Sequence, residues 1–176
     1  MPCRGFSILE LMITLLIVAG LLTAGVPALN WLVLDSRRTA DINAFVTSIQ
    51  LARSESAKRA APAIVCKTAD FRVCGGSTVH YEVGWMVFVD EDGDQPPEVD
   101  PDEILLYSYR PNTEGTIRSN RSRYTFRPYY RRSTNGTVTF CDRRGESAAR
   151  AVIISHTGRP RVSDRGPGDR RLNCAG

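Results

Sequence analysis

Residues 5–12 read GFSILELM, and they lead into a mostly apolar run that is uncharged from Leu11 to Leu34. A helix from Phe6 to Leu34 would be roughly 43 Å long at about 1.5 Å per residue, enough to cross a hydrocarbon core of ~30 Å. One carboxylate, that of Glu10, lies at the start of this run. Because a carboxylate is costly to place in lipid, Glu10 indicates a functional role for the segment.

Two ordinary kinds of apolar N-terminal segment do not account for this stretch. A secretory signal peptide carries its small-residue cleavage site after the apolar run, whereas here the small residue Gly5 precedes it. A plain transmembrane anchor explains the length of the run, but neither the short leader, residues 1–5, nor the glutamate that follows it.

The motif GFSILELM resembles the type III, or prepilin, signal of type IV pilins and type II secretion pseudopilins. In that family a membrane peptidase cuts after the glycine, and the new N-terminal residue is N-methylated. The resemblance implies cleavage after Gly5 by prepilin peptidase, methylation of Phe6, and Glu10 as the fifth residue of the mature chain. It also implies a single-pass inner-membrane anchor with a periplasmic head, which joins other major and minor pilins in a pilus at the cell surface.

The chemistry of Glu10 is consistent with filament assembly. A pair with the methylammonium of Phe6 on a neighbouring subunit would make the carboxylate tolerable in lipid and would set the axial register between helices. Pro27, inside the same run, removes a backbone hydrogen bond and is expected to bend or locally unwind the helix.

The rest of the chain predicts an amphipathic helix followed by short strands. Five apolar residues recur at the spacing of one helix face, which predicts a buried stripe: Ile42, Phe45, Val46, Ile49 and Ala52. The helix should end before Pro62, since the residue before a proline disfavours helix. Asn135-Gly136 is a candidate hairpin turn. Beyond the helix, segments rich in β-forming residues lie at 63–66, 85–89, 103–107, 124–126, 137–140 and 151–155.

These segments predict an α+β fold of the type IV pilin kind, in which a long N-terminal helix packs on an antiparallel β-sheet head. The expected divisions are a leader at 1–5, a transmembrane and assembly helix at 6–34, its amphipathic continuation at 35–61 and a β-rich globular head at 62–176. The part beyond the anchor has a length typical of one domain.

Four cysteines follow the leader, at Cys66, Cys74, Cys141 and Cys174. An even number beyond a membrane anchor favours disulfides, and three pairings are possible. We favour Cys66–Cys74, which closes a short loop, and Cys141–Cys174, which attaches the C-terminal tail to a strand. A zinc site is the alternative, but neither a C-x-x-C spacing nor a histidine at ligand spacing supports it. We therefore expect no metal and no cofactor.

The two halves of the head differ strongly in charge. Residues 66–103 contain ten acidic and two basic side chains, a net charge of −8, whereas residues 104–176 contain fifteen arginines, no lysine and five acidic residues, a net charge of +10. This asymmetry suggests a polyanionic partner for the basic half. Arginine also grips phosphate in a bidentate manner that lysine cannot. A high-GC genome, or an acidic face on the next filament subunit, would account for the arginines as well.

A second resemblance covers most of the chain. Residues 84–90, 102–105, 136–141, 150–155 and 157–161, with Cys174, are similar to the FimT/GspH branch of the pilin superfamily. In FimT-type minor pilins of naturally competent bacteria, a C-terminal G-R-x-R element binds DNA during uptake. The resemblance implies that Arg159 and Arg161 contact phosphates and that Gly158 permits the turn that presents them. The alternative is an ordinary turn with solvated arginines.

Residues 118–132 interleave arginines with aromatic residues. Tyrosines among arginines could stack the bases of single-stranded DNA. A strand with an apolar inner face is the commoner arrangement, and Tyr124 and Phe126 are expected to point inward. The predicted DNA surface extends to Arg131, Arg132 and Arg165. No base-reading motif is present, so binding to double-stranded DNA should be sequence-independent and salt-sensitive.

The acidic stretch Asp90-Glu91-Asp92-Gly93-Asp94 begins like a calcium loop, but Gln95 and Pro101 occupy the positions where an EF-hand needs glycine and glutamate. Asp90, Asp92 and Asp94, with Asp100 or Asp102, could still hold calcium in an irregular loop, but a solvated hairpin tip is the favoured interpretation. No nucleophile elbow, zincin spacing or phosphate-binding glycine loop is present, so we do not expect an enzyme. Two hypotheses follow: a minor pilin that binds DNA for natural transformation, and a structural minor pilin or GspH-like secretion pseudopilin that does not.

Overall fold

The computed structural model describes residues 7–94, 96–101, 103–112, 114–129 and 132–174, apart from the side chains of residues 24 and 26–28. The predicted leader with its cleavage residue Gly5, the predicted methylation site Phe6 and the predicted DNA contact Arg131 lie outside the described residues. Residue contacts divide the chain into two compact units, Met1–Ser36 and Arg37–Gly176. The finer divisions expected from the sequence stay predictions.

One long helix, α1, extends from Ile8 to Arg59. Its backbone stays helical at Pro27, so the local unwinding expected there does not occur. In the N-terminal unit the large apolar side chains of α1 are exposed, as at Ile8 and Leu16, and Glu10 is exposed in the first turn. In the described part of the chain, no helix has both the length and the apolarity needed to cross a membrane.

The C-terminal part of α1 has the predicted amphipathic character. Ile42, Phe45, Ile49 and Ala52 are buried, and Val46 is half-buried, so the apolar stripe read from the sequence is confirmed. The helix ends three residues before Pro62, and Ala60 has a φ of +57° in the left-handed region. The chain then turns into the first strand.

Eight strands form two four-stranded antiparallel sheets, in the orders β3-β2-β1-β5 and β4-β6-β7-β8. With the long helix, they confirm the predicted α+β fold. The strands are β1 Ala63–Lys67, β2 Trp85–Val89, β3 Leu105–Tyr109, β4 Thr116–Ser119, β5 Arg123–Phe126, β6 Gly136–Cys141, β7 Arg150–Ile154 and β8 Pro160–Ser163.

Three details of the strand prediction differ from the structure. The segment pattern missed β4 and β8, and β3 begins two residues later than expected. The hairpin turn predicted at Asn135-Gly136 was wrong. β5 pairs with β1, whereas β6 pairs with β4 and β7, so the two strands that flank this dipeptide lie in different sheets. Neither residue has the positive φ that a type I′ turn requires.

Phe45 lies at the centre of the main core. Its ring makes edge-to-face contacts with four aromatic rings, at centroid distances of 5.7 Å to Tyr81, 5.4 Å to Trp85, 6.1 Å to Tyr124 and 5.9 Å to Phe140. Trp85 and Tyr124 belong to one sheet and Phe140 to the other. A single helical side chain therefore connects both sheets.

Both disulfides join the cysteines in the pairing favoured from the sequence, Cys66–Cys74 and Cys141–Cys174. The zinc alternative is excluded, because all four sulfur atoms are in disulfides. Cys141–Cys174 attaches the C-terminal tail beside a small apolar cluster of Ala149, Ala151 and Leu172.

Removal of Cys141–Cys174 is expected to destabilise the protein more than removal of Cys66–Cys74. The residues it links are 33 apart in sequence, against 8 for Cys66–Cys74, and a longer loop loses more entropy on closure in the unfolded chain. We expect a Cys141→Ala/Cys174→Ala variant to lose about 2–4 kcal/mol of unfolding free energy, and the other double variant about 1 kcal/mol less. Urea unfolding followed by circular dichroism measures both, and the opposite order would contradict the prediction.

Candidate nucleic-acid interface

In the sequence Gly158-Arg159-Pro160-Arg161, Gly158 and Arg159 lie in the turn between β7 and β8, and Pro160 and Arg161 begin β8. Gly158 has a φ of +73°, which favours glycine. A Cβ atom at this position would lie 2.9 Å from Cε1 and 3.1 Å from Cδ1 of the buried Phe126 ring. The turn therefore requires glycine for two reasons, its backbone conformation and its close contact with the core.

Hydrogen bonds hold this turn in place. Gly158 N donates to Ser155 O at 2.9 Å, and Ser155 N donates to Arg159 O at 3.1 Å. The Ser155 side chain accepts a bond from Arg159 N at 3.2 Å and is 2.8 Å from the Thr157 hydroxyl. Ser133 N donates to His156 O at 3.1 Å, which links the turn to the segment before β6. The exposed Arg159 side chain thus projects from a well-bonded backbone.

Arg159 borders an open groove with a volume of about 860 Å³. We call it the arginine groove, after the four arginines that line it: Arg53, Arg127, Arg132 and Arg159. No acidic side chain is among the described residues of its lining. Within the described chain, none of these four guanidinium groups forms an ion pair. The groove is therefore strongly positive.

Three segments distant in sequence bring these arginines together. Arg53 lies on α1, Arg127 and Arg132 lie in the connection from β5 to β6, and Arg159 lies in the turn before β8. The buried Ser56 hydroxyl on α1 donates to Phe126 O at 2.9 Å, which fixes the end of β5 against the helix. Tyr129 and His156 also line the groove.

The other predicted contact residues are arranged differently. Arg161 is exposed on β8 but is not among the described residues that line the groove. The guanidinium of Arg165 is 3.5 Å from the Asp169 carboxylate, in an exposed ion pair. Tyr124 and Phe126 are buried, as expected for an apolar inner face. Of the predicted DNA contacts, the groove brings together Arg132 and Arg159.

Sequence reasoning missed Arg53, and it did not assign Arg127 to the site. Arg53 follows the buried Ala52, and it lies at the edge of the apolar stripe where a charged residue is ordinary. Arg159, which lines the same groove, is more than a hundred residues away in the sequence. Only the packing of α1 against the end of β5 brings the two arginines to one groove.

Comparison with known proteins identifies the family. A sequence model described as "Type II transport protein GspH" matches residues 41–158, about two thirds of the chain. The chain belongs to the GspH family of pilins. We assign no catalytic role to this pilin. No curated protein matches it.

The fold of this pilin is similar to that of the type IV minor pilin FimU from Pseudomonas aeruginosa strain PAO1. One FimU crystal structure superposes with a TM-score of 0.53 at 17% identity, over 81% of this chain and 95% of that one. A second crystal form gives a TM-score of 0.53 at 16% identity, over 75% and 96%. At this level of identity the likeness concerns the fold alone.

The acidic loop of the pilin is organised by backbone hydrogen bonds. Asp90 accepts a bond from Gly93 N at 3.0 Å, and Glu103 accepts one from Glu91 N at 2.9 Å. Burial raises the pKa of Asp90, and the neighbouring carboxylates of Asp94 and Asp92 raise it further. Carboxylate oxygens of Asp90, Asp92 and Glu103 lie within 4.8 Å of one another. Because the backbone bonds account for this arrangement, we assign no metal ion to the loop.

Proposed function

We propose that this pilin is a minor subunit of a type IV pilus and that its arginine groove binds double-stranded DNA for natural transformation. This proposal rests on the four arginines that line one groove. Within the described chain these arginines form no ion pair, and no acidic side chain is among the described lining residues. Guanidinium groups bind phosphate oxygens in a bidentate manner. A groove of this charge is complementary to a phosphate backbone.

The proposed binding is electrostatic and independent of base sequence. Four phosphate contacts would release condensed counterions, and the logarithm of the binding constant should then fall with the logarithm of salt concentration with a slope of about −3.6. The exposed Arg161 beside the groove provides a further contact, and Gly158 holds the turn that presents Arg159. Arg131 and Arg165 extend the surface, although Arg165 would exchange its pair with Asp169 for phosphate.

Assembly of the pilin would use its N-terminal segment. Prepilin peptidase would cleave after Gly5, and the methylated Phe6 of one subunit would pair with Glu10 of its neighbour in the inner membrane and then in the filament. The exposed apolar side chains of α1 in the N-terminal unit support this role, because a helix with such a surface is normally covered by lipid or by other helices. In the pilus, other pilins would cover this surface. Before assembly, lipid would cover it, and the head would lie in the periplasm.

The second candidate function is structural. The matching family description names a type II transport protein, and the match covers most strands of both sheets. A GspH-like pseudopilin would be incorporated in a secretion filament, and its arginines would face an acidic neighbour. This alternative predicts no affinity for DNA.

A DNA-binding experiment with matched variants separates these functions. The full chain in neutral detergent micelles is titrated with two duplexes of unrelated sequence, from roughly 50 to 200 mM salt. We expect equal affinity for both duplexes. The Arg159→Ala/Arg161→Ala variant should lose at least about tenfold in affinity, with a slope smaller in magnitude by about 1–2, since phosphate contacts are removed.

The control is an Arg37→Ala/Arg72→Ala variant, which removes the same charge away from the groove. Arg37 forms an exposed pair with Glu114 at 3.4 Å, and Arg72 is exposed near Asp70 and Glu98. Its affinity should stay within about twofold of the unmodified chain. Absence of binding at low salt would refute the DNA-binding function and favour the structural one. Equal losses of affinity in both double variants would refute the groove as the binding site.

A further inference from the structure

Tyr129 is an unusual lining residue of the arginine groove. Tyr129 is 76% exposed, whereas Tyr81 and Tyr124 are buried. Its φ of +56° lies in the left-handed region, which is uncommon for a residue other than glycine. Such strain persists only where the surrounding structure enforces it, and it is frequent at ligand sites. An exposed aromatic residue thus lines the same groove as four arginines.

The combination of cations and a free ring matches the chemistry of a nucleotide. Phosphate oxygens would bind the guanidinium groups, and the flat face of a base would stack on Tyr129. The groove volume of 860 Å³ falls within the range of about 300–1,000 Å³ typical of small-molecule sites, so there is room for such a unit. A phospholipid head group shares the phosphate but has no planar ring to stack.

Base pairing decides which DNA can use the ring. In a duplex each base is stacked on its neighbours, and extrusion of a base costs a few kcal/mol. In a single strand the bases are free to stack on an aromatic side chain at no such cost. Both forms present phosphates to Arg53, Arg127, Arg132 and Arg159, but only unpaired nucleotides reach Tyr129 without this penalty.

We propose that the groove is a site for an unpaired nucleotide, with the base stacked on Tyr129 and the phosphates bound by the arginines, so that single-stranded DNA binds more tightly than duplex. This inference rests on the proposed DNA-binding function and names the form of DNA that the site prefers. The unpaired end of a frayed duplex would then enter the groove, and the paired portion would contact Arg161 on β8.

The test compares three fluorescent probes of equal length, about 16 nucleotides. They are a single strand of thymidines, a duplex, and a single strand of abasic sugar phosphates, which keeps the charge but has no base. Fluorescence anisotropy with the full chain in detergent micelles measures each affinity. We expect the thymidine strand to bind roughly 5- to 150-fold more tightly than the abasic strand, and more tightly than the duplex.

Two variants at Tyr129 isolate the ring. Asparagine tolerates the left-handed conformation, so Tyr129→Asn removes the ring without added backbone strain. In this variant the affinity for the thymidine strand should fall to about that for the abasic strand. Tyr129→Phe keeps the aromatic face and should restore the preference for thymidine.

The outcomes distinguish this inference from the function on which it rests. Failure of all three probes to bind would overturn the DNA-binding function and this inference with it. Duplex binding that equals or exceeds thymidine binding, or an abasic strand that binds as tightly as thymidine, would overturn the inference alone. A thymidine preference that survives in Tyr129→Asn would also overturn it.

Discussion

An alanine in place of Phe45 is expected to lower the free energy of unfolding by about 3–5 kcal/mol, the usual cost of deleting a fully buried aromatic side chain. Phe45 has no exposed surface, and its ring contacts four other rings in both sheets. Removal leaves a cavity that neither sheet can fill without moving, because the rings of Trp85 and Phe140 are themselves fully buried. The edge-to-face contacts are lost in addition.

Urea unfolding of the full chain, followed by circular dichroism, provides the measurement. Asn43→Ala is the matched control on the same helix, since Asn43 is exposed and its replacement should change stability by no more than about 0.5 kcal/mol. Phe45→Leu should fall between the two, because leucine fills part of the cavity. A loss of less than about 1 kcal/mol for Phe45→Ala would show that the core does not depend on this ring.

The second large effect concerns the buried charge of Asp142. Its carboxylate has no exposed surface; it lies 2.6 Å from Nη2 of Arg144 and 3.4 Å from Nη1 of the buried Arg38. Arg38 also donates to the carbonyl of Ala148. Removal of one member of a buried ion pair typically costs about 3–5 kcal/mol. We expect this loss of stability for Asp142→Asn.

The pH dependence of this loss follows from the pKa of Asp142. The hydrogen bond from Arg144 lowers that pKa, with further lowering by the charges of Arg144 and Arg38, against the effect of burial. A carboxyl group with a lowered pKa contributes stability that is complete above its unfolded pKa, about 3.9, and is lost as the pH falls through its folded value. The stability difference between the unmodified chain and Asp142→Asn should therefore be constant at neutral pH and narrow below about pH 4.

Urea unfolding at a series of pH values tests both statements, with Asp164→Asn as an exposed control. The raised pKa values of Asp90 and Glu103 change stability with pH in the opposite sense, but they are common to all three chains and cancel in the difference. A difference that widens in acid would contradict the assigned role of Asp142.

Some parts of the fold were predictable from the sequence because they depend on local pattern. The spacing of Ile42, Phe45 and Ile49 predicted which face of α1 is buried, since helical periodicity places these residues on one side. The strand β2 is a continuous apolar run, and β7 is apolar from Ala151 to Ile154. The cysteine count predicted disulfides, and the short loop between Cys66 and Cys74 favoured that pair.

Other parts depend on contacts that a sequence pattern does not encode. The strands β4 and β8 contain few apolar residues, and they exist because they pair with the outer sides of β6 and β7. Asn135-Gly136 has good turn chemistry, but tertiary pairing assigns the strands on either side to different sheets. The candidate site is of this second kind, because Arg53 and Arg159 meet only after α1 and both sheets have packed.

The contact between Gly158 and Phe126 has a consequence for the evolution of this pilin. The same ring that fills the core also leaves no room for a side chain at the turn that presents Arg159. Mutations at the two positions are therefore epistatic: the tolerance of position 158 depends on the size of the residue at 126. Selection on the exposed turn cannot proceed independently of selection on the interior, which restricts the routes by which this surface can change.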